Sequence, residues 1–288
     1  MDVCYALWER SWEDDAVRLD PEADLFADPA MVHRIDHDGR WFQVRGPHQV
    51  EPSPQRTPVI YQAGGSPRGT AFAGRHAEAV FLAQSDPDRA ASYVHEVRAA
   101  AAAAGRDPAH LKVLMGFRCA VAAADHQVDE LRGEFDRYGS PEGTLAMFSA
   151  WTGIDTGSVE RHVPVAELEG NAMLSVARNA TFVDPHPDLT VGEVLDAIAE
   201  NANGVKYIGT GPQIADEMEA LLETGIDGFN IVTSPHPTGF ERFVDHVVPE
   251  LQRRGLFRTE YEESTLRERY LGPGQIRLPD THPGRNPA

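Results

Sequence analysis

The sequence predicts an α/β protein built on a parallel sheet that helices cover. Three observations indicate this fold class: short apolar segments recur along the chain, helical segments alternate with them, and turn or capping residues separate the two kinds. A repeated strand–helix rhythm is typical of parallel sheets, because parallel neighbours need a crossover connection that a helix usually supplies.

The first 56 residues precede this alternation of strands and helices. Residues 2–12 place apolar and aromatic side chains on one helical face, which predicts a helix. Residues 13–56 are acidic and contain proline, so they predict irregular structure, with a short strand or hairpin arm at 41–44.

The rhythm itself predicts four strands, at residues 57–63, 78–83, 111–121 and 226–232. Helices are expected at 66–77, 86–105, 125–138, 190–201, 210–224 and 240–254. Ser66, Thr190 and Thr210 are the expected N-caps of three of them, since a side-chain oxygen there satisfies first-turn N–H groups.

Two segments depart from the rhythm. Residues 140–188 carry scattered glycine, proline and threonine and predict an insertion outside the sheet. Residues 271–288 are rich in proline and glycine and predict a disordered tail, which leaves residues 1–270 as the domain.

Composition narrows the possible functions of the 288-residue chain. It has 26 basic and 45 acidic residues, and 26 − 45 = −19. Such a charge disfavours nucleic acid or anionic membrane as a partner. The two cysteines, Cys4 and Cys119, form neither a metal-type pair nor a disulfide framework, and the N-terminus is not typical of a signal peptide. We therefore expect a cytoplasmic protein.

The turn at Gly64-Gly65-Ser66 is the main candidate for a ligand-binding site. It joins a predicted strand to a predicted helix with Pro67 at its first position. Two residues without side chains, the free N–H groups of a helix N-terminus and a serine hydroxyl together suit a phosphate group. The same pattern also fits a purely structural capped turn, so the residues alone leave both interpretations open.

The amino-acid sequence around this turn resembles that of a known family. The segment TPVIYQAGGSPRGTAFAGRHAEAVF (57–81) is similar to the luciferase-like flavin monooxygenases, above all the nitrilotriacetate, EDTA and dibenzothiophene-sulfone monooxygenases, whose signature there is P-V-I-x-Q-A-G-S-S-x-x-G. Further similar stretches lie, in the same order as in that family, at residues 7–17, 26–47, 209–231 and 247–270.

The resemblance implies a fold, a cofactor and partners. It implies a TIM-type (α/β)8 barrel that binds reduced FMN, activates O2 and oxygenates a small organic substrate of the xenobiotic type. A separate NAD(P)H:flavin reductase would supply the reduced flavin, and the intact enzyme would be a homo-oligomer. The cofactor-binding residues carried over are Gly64, Gly65 and Ser66, where Ser66 is the second serine of the signature and Gly65 replaces the first.

The resemblance also predicts which part of the barrel is present. The stretch LWERSWEDDAV (7–17) follows the first half of the barrel in that family, and only four strands are predicted here, against eight in a closed barrel. The chain therefore looks like the C-terminal half of such a barrel, without the half that holds the family's other flavin contacts. Catalytic residues stay unknown. The alternatives are a non-catalytic barrel fragment that needs a partner chain and a deazaflavin-dependent oxidoreductase of the same fold.

Other motifs are weaker. His33 and His37 have i,i+4 spacing, but a turn-like sequence surrounds them and no third ligand lies nearby, so no metal site is predicted. Residues 209–212 form a second helix start that could face an anion, although an ordinary capped helix is the favoured interpretation.

Overall fold

The computed structural model describes residues 1–82, 86–167, 189–200, 202 and 204–285. The chain divides into two compact units. Unit 1 comprises residues 1–81, 93–113 and 261–288, and unit 2 comprises residues 82–92 and 114–260.

Unit 1 begins with a short helix and two antiparallel hairpins. Helix α1 (Asp2–Tyr5) continues as a π-helical turn to Arg10, so the helix expected over residues 2–12 ends two residues early. The hairpins are formed by β1 (Val17–Asp20) with β2 (Leu25–Ala27), and by β3 (His37–Asp38) with β4 (Gln43–Val44). The second hairpin confirms the predicted arm at residues 41–44, whereas the first was not predicted.

A parallel strand pair and the helix that connects it follow in unit 1. Strand β5 (Tyr61–Ala63) pairs in parallel with β6 (Ala79–Leu82), in the register Tyr61↔Ala79. Helix α2 (Pro67–His76) makes the crossover. It packs so closely on α3 (Pro87–Ala103) that a Cβ atom on Gly74 would lie 2.6 Å from the Ala100 carbonyl carbon. Unit 1 ends with α10 (Leu266–Leu271) and the segment after it.

Unit 2 contains the longest strand with two parallel neighbours. Strand β7 (Lys112–Ala122) pairs in parallel with β8 (Tyr207–Thr210) and with β9 (Gly228–Thr233), and Cys119 is in register with a residue of each. The helices of this unit are α4 (Val128–Tyr138), α5 (Pro141–Thr152), α6 (Val191–Glu200), α7 (Gly211–Leu222), α8 (Thr238–Arg242) and α9 (Val248–Arg253). None of the described helices is both long and apolar enough to cross a membrane.

The parallel arrangement is confirmed, but the strand count was too low. All four predicted strands are present with shifted ends, and β8 is a fifth that was not predicted. Its sequence, Tyr-Ile-Gly-Thr, is short and contains glycine, which has a low strand propensity. Pairing along β7 supplies the stability that the local sequence lacks.

Part of the predicted insertion is packed structure. Within residues 140–188, helix α5 packs on α6, and the two share a buried cluster that includes Phe148, Val191 and Leu195. No described residue of this segment lies in a strand of the parallel sheet, which agrees with an insertion outside it, and the apolar face of α5 has a partner 40 to 50 residues further along the chain. Residues 168–188 lie outside the described residues.

The chain end also differs from the predicted disorder over residues 271–288. Leu278 and His282 are each 2% exposed. The His282 ring donates from Nε2 to the His76 carbonyl oxygen at 3.0 Å, which ties the segment to the end of α2. Composition predicted disorder because proline and glycine disfavour regular structure, but they do not prevent a few anchored residues from packing. Residues 286–288 lie outside the described residues.

Candidate functional site

The turn between β5 and α2 is built around Ser66. Strand β5 ends at Ala63, and Ser66 has the extended backbone of an N-cap (φ −70°, ψ 153°). Its Oγ atom accepts a hydrogen bond from the Gly69 N–H at 3.1 Å, and its carbonyl oxygen accepts one from the Thr70 N–H at 2.8 Å. The predicted cap is confirmed, and the hydroxyl proton stays available because the cap uses only a lone pair of Oγ.

Two glycines allow the backbone to turn this tightly. Gly64 has φ +113°, a conformation that residues with side chains rarely adopt. At Gly69 a Cβ atom would lie 2.9 Å from the Gly64 carbonyl oxygen and 3.2 Å from Ser66 Oγ, so a side chain there would push the cap apart. Gly65 differs, because a Cβ atom there would make only an ordinary contact.

Gln62 fixes the carbonyl groups of the turn. Its side-chain Nε2 donates to the Ala63 carbonyl oxygen at 2.7 Å and to the Gly64 carbonyl oxygen at 3.3 Å. Both acceptors are therefore held on the side of the Gln62 amide. This leaves the N–H groups as the polar feature that the turn offers to a ligand.

Several backbone N–H groups at this turn are not used by the cap. Pro67 has no N–H, and the N–H groups of Gly69 and Thr70 bond to Ser66. No hydrogen bond within the described residues occupies the N–H groups of Gly65, Ser66 and Arg68. Together with the Ser66 hydroxyl and the helix dipole of the ten-residue α2, they fit a phosphate group.

An aromatic surface lies next to this turn on the same strands. The rings of Tyr61 and Phe81 stack with centroids 5.2 Å apart, and each residue is 36% exposed. Phe81 is in register with Ala63, the last residue of β5 before the glycines. The Tyr61 hydroxyl is hydrogen-bonded to that of Tyr270, and burial, the largest cause, raises the pKa of Tyr61.

The predicted site residues Gly64, Gly65 and Ser66 thus lie together at one exposed turn. Their role in binding a cofactor stays a prediction. Arg68 lies on the exposed face of the first helical turn.

The second candidate turn is occupied by its own structure. The Thr210 backbone N–H donates to Gln213 Oε1 at 2.9 Å in a capping box. A Cβ atom on Gly211 would lie 2.2 Å from the His246 carbonyl oxygen, so protein packs directly against this helix start. These contacts favour the interpretation of residues 209–212 as an ordinary capped helix.

The histidines considered as metal ligands have other contacts. His33 Nε2 is 2.6 Å from Glu13 Oε1, and the His37 ring packs on that of Phe42 with centroids 5.5 Å apart. Within the described part of the chain, no group of three or more His, Cys, Asp or Glu side chains could hold a metal ion.

Tyr93 is a residue near the turn that the sequence analysis missed. It lies in α3, where Val94 and Val97 belong to the buried face, and a Cβ atom built on Gly65 would lie 3.5 Å from its ring. The signal was present as a polar aromatic residue on the apolar face of a helix. It was overlooked because the position of a residue on a helix does not show which other part of the chain that face of the helix packs against.

Fold and turn together define a class: an α/β protein with a glycine-rich, serine-capped turn at the carboxyl end of a parallel strand. The comparisons with known proteins make the class more specific. Residues 2–228 match the family described as luciferase-like monooxygenase, and the chain belongs to that family.

Individual relatives agree with this membership. The chain is 42% identical over 285 residues to the long-chain alkane monooxygenase of Geobacillus thermodenitrificans, which covers 98% of this chain and 60% of the relative. It is 37% identical over 277 residues to nitrilotriacetate monooxygenase component A of Aminobacter aminovorans, covering 94% and 60%. The chain therefore spans about 60% of the length of the curated relatives it matches.

Solved structures share the fold. A riboflavin lyase, whose structure was determined with modified FMN and riboflavin, superposes with a TM-score of 0.86 at 36% identity. That match covers 99% of this chain and 62% of the lyase. The resemblance to the luciferase-like family, stated from the sequence, is confirmed.

Proposed function

We propose that this chain binds FMN by its phosphate group at the β5–α2 turn, within an FMN-dependent two-component monooxygenase. The observation that carries the proposal is the turn itself: three N–H groups and a hydroxyl proton without acceptors among the described residues, and no side chain at two successive positions. Family membership supports a flavin rather than another phosphate-bearing ligand.

The residues of this chain have defined tasks in that proposal. Reduced FMN, when bound, supplies the electrons that O2 needs to oxygenate an organic substrate. The Ser66 hydroxyl and the N–H groups of Gly65 and Arg68 hold and orient the phosphate group. The exposed rings of Tyr61 and Phe81 offer an apolar surface beside the turn, against which part of a ligand can pack away from water.

The partners follow from the same proposal. A separate NAD(P)H:flavin reductase would deliver reduced FMN, which the name "component A" of the nitrilotriacetate relative supports. The relatives are named for an alkane and a chelator, so the substrate class proposed is a small organic molecule of the xenobiotic type. We place the reaction in the cytoplasm, where both cysteines would stay reduced.

The barrel assignment is part of the proposal. In this proposal the parallel strands belong to a TIM-type (α/β)8 barrel, which family membership supports. In such barrels ligands bind at the carboxyl ends of the strands, which is where the Ser66 turn lies. The chain would supply the phosphate-binding part of the site.

The test compares two helix caps of the same kind. Ser66-Pro67-Arg68-Gly69 caps α2, and Ser140-Pro141-Glu142-Gly143 caps α5 with a serine Oγ to N–H distance of 3.0 Å. We expect Ser66→Ala to weaken FMN binding roughly 10- to 150-fold, since it removes a charge-assisted hydrogen bond of about 1.5–3 kcal/mol. FMN fluorescence quenching on the 288-residue chain measures the affinity.

Ser140→Ala is the matched control for this experiment. It removes an equivalent cap, at a cost of about 1 kcal/mol in stability, but lies at a different turn, so FMN affinity should not change. Riboflavin, which lacks the phosphate, should bind both variants as it binds the wild type. Equal losses of FMN affinity in the two variants would show that Ser66 acts only as a cap and would contradict the proposal.

A further inference from the structure

The β3–β4 hairpin of unit 1 holds two aromatic side chains out in solvent. Trp41 and Phe42 lie in the connection between its strands and are 79% and 54% exposed. The Gly39 N–H donates to the Phe42 carbonyl oxygen at 3.1 Å, which closes the tip. The Ile35 N–H donates to the Arg45 carbonyl oxygen at 3.0 Å, which joins the two arms at the other end. Large exposed aromatic side chains on a hydrogen-bonded backbone are typical of surfaces that bind another protein.

This hairpin carries a local excess of positive charge. Three exposed arginines and two carboxylates lie within residues 34–45, a net charge of 3 − 2 = +1: Arg34, Arg40, Arg45, Asp36 and Asp38. The Arg40 guanidinium lies 4.4 Å from the centroid of the Trp41 ring. None of the three arginines forms an ion pair with a carboxylate among the residues that the structure describes. In a chain of net charge −19, such a group of unpaired cations is unusual.

The β1–β2 hairpin, also in unit 1, has the opposite character. Leu19 and Phe26 are 67% and 54% exposed. One arginine and three carboxylates lie within residues 17–27, a net charge of 1 − 3 = −2. Two of these carboxylates, those of Glu22 and Asp24, are exposed and pair with no basic side chain in the described part of the chain.

The two hairpins are complementary but do not cover each other within one chain. Their apolar side chains stay more than half exposed, and the charges named above stay unpaired. Between two chains the same surfaces would bury apolar area and join opposite charges. A twofold axis would make this contact twice, since the basic hairpin of each copy would then lie on the acidic hairpin of the other.

We propose that the β1–β2 and β3–β4 hairpins form the contact between two copies of this chain. A second copy is the partner that the charges favour, because the chain itself carries both complementary surfaces. Trp41 is the central anchor of the contact, and the arginines around it select the acidic hairpin. The inference does not depend on the binding of FMN.

The first test reverses the charges of each hairpin in turn. Arg40→Glu with Arg45→Glu makes β3–β4 acidic, and Glu22→Arg with Asp24→Arg makes β1–β2 basic. Each double variant alone brings like charges together, so we expect its dimer dissociation constant to rise roughly 10- to 100-fold in sedimentation equilibrium.

A one-to-one mixture of the two double variants should recover a dimer of nearly wild-type affinity. In the mixed dimer one contact joins the two reversed hairpins and the other joins the two wild-type hairpins, so both contacts again join opposite charges. A variant that had merely lost its fold could not be rescued in this way. Failure of the mixture to associate would overturn the inference.

The second test is Trp41→Ala, with Tyr138→Ala as the matched control. Tyr138 is 73% exposed on α4, and the Arg137 guanidinium lies 5.5 Å from its ring centroid, so both variants remove an exposed aromatic side chain beside an arginine. We expect Trp41→Ala to weaken the dimer roughly 10- to 100-fold, as for an aromatic anchor, and Tyr138→Ala to leave it unchanged. A monomeric wild type, or equal effects of the two substitutions, would contradict the proposed contact.

Discussion

At the scale of single residues, the two glycines of the turn have different reasons to be glycine. Gly64 has φ +113°, so any side chain there is strained by the backbone whatever space surrounds it. Gly65 has no such backbone constraint, and its Cβ position is at ordinary contact distance from the Tyr93 ring. Sequence alone shows two equivalent glycines, because φ angles cannot be read from residue types.

This difference predicts opposite outcomes for two substitutions. Gly64→Ala should destabilise the chain by about 1–3 kcal/mol, the usual cost of a strained backbone conformation, and weaken FMN binding with it. Gly65→Ser should change stability by no more than about 0.5 kcal/mol, since its Cβ atom meets no clash, and should retain FMN binding.

Urea unfolding and FMN titration of the two variants check this pair. Each variant serves as the control for the other, because both add a small side chain to adjacent positions of one turn. Equal destabilisation by the two would mean that the turn does not depend on the Gly64 backbone conformation.

At the scale of secondary-structure elements, a buried ion pair links α10 to the residue that precedes β6. Arg267 and Glu78 have side chains that are 0% and 1% exposed, and Arg267 Nε lies 2.6 Å from Glu78 Oε1. The other guanidinium N–H groups donate to Glu78 Oε2 and to three carbonyl oxygens, those of Gln55, Thr57 and Ile276. All five donors of the guanidinium are therefore satisfied.

Breaking this pair on one side should be costly. Arg267→Met leaves the Glu78 carboxylate buried without its partner, and we expect a loss of about 3–5 kcal/mol in the free energy of unfolding. The double variant with Glu78→Gln should lose less than the sum of the two single variants, since no charge is then left alone. Urea unfolding of the four proteins measures the coupling.

The control for the ion pair is Arg253→Met. Arg253 pairs with Glu250 at 2.6 Å, but its side chain is 70% exposed, so the loss should be smaller than for Arg267→Met. Additive effects of Arg267→Met and Glu78→Gln would contradict the view that the two side chains act as a unit.

The elements also show how far sequence reasoning reaches. The strand, the two glycines, the Ser66 cap and the helix around the candidate turn were predictable, because propensity, capping and turn chemistry act within a few residues. Strand β8 was missed because its pairing with β7 outweighs a weak local preference. The Arg267–Glu78 pair joins residues 189 positions apart, and no local pattern marks either partner.

At the scale of the molecule, stability depends on charge in two opposing ways. The net charge of −19 means that carboxylates repel one another at neutral pH, and this repulsion weakens as the pH falls. A buried cluster in unit 1, formed by Tyr5, His76 and His282, acts in the opposite direction. The pH dependence of the wild-type stability therefore mixes the two effects, and a comparison of variants is needed to separate them.

The hydrogen bonds of His282 in this cluster require a neutral ring. His282 donates from Nε2 to the His76 carbonyl oxygen at 3.0 Å and accepts the Gly284 N–H at Nδ1 at 3.1 Å. His76 Nδ1 is 3.1 Å from the Tyr5 hydroxyl. The pKa of both His76 and His282 is lowered to about 4, mainly by burial and with a smaller contribution from Arg106.

These shifts predict a loss of stability in acid. The unfolded chain, with histidine pKa values near 6.5, binds more protons than the folded chain between pH 6.5 and 4, so stability falls as the pH drops through that window. We expect His282 to account for a loss on the order of 1–2 kcal/mol between pH 7 and pH 5.

His282→Asn cannot take up that proton, so it should be less stable than the wild type at pH 7.5 but lose less on acidification. Urea unfolding at pH 7.5, 6 and 5 compares the two, with His162→Gln, at an 84% exposed side chain, as the control that should follow the wild type. Parallel pH profiles for wild type and His282→Asn would show that the segment after α10 is not held by a neutral His282.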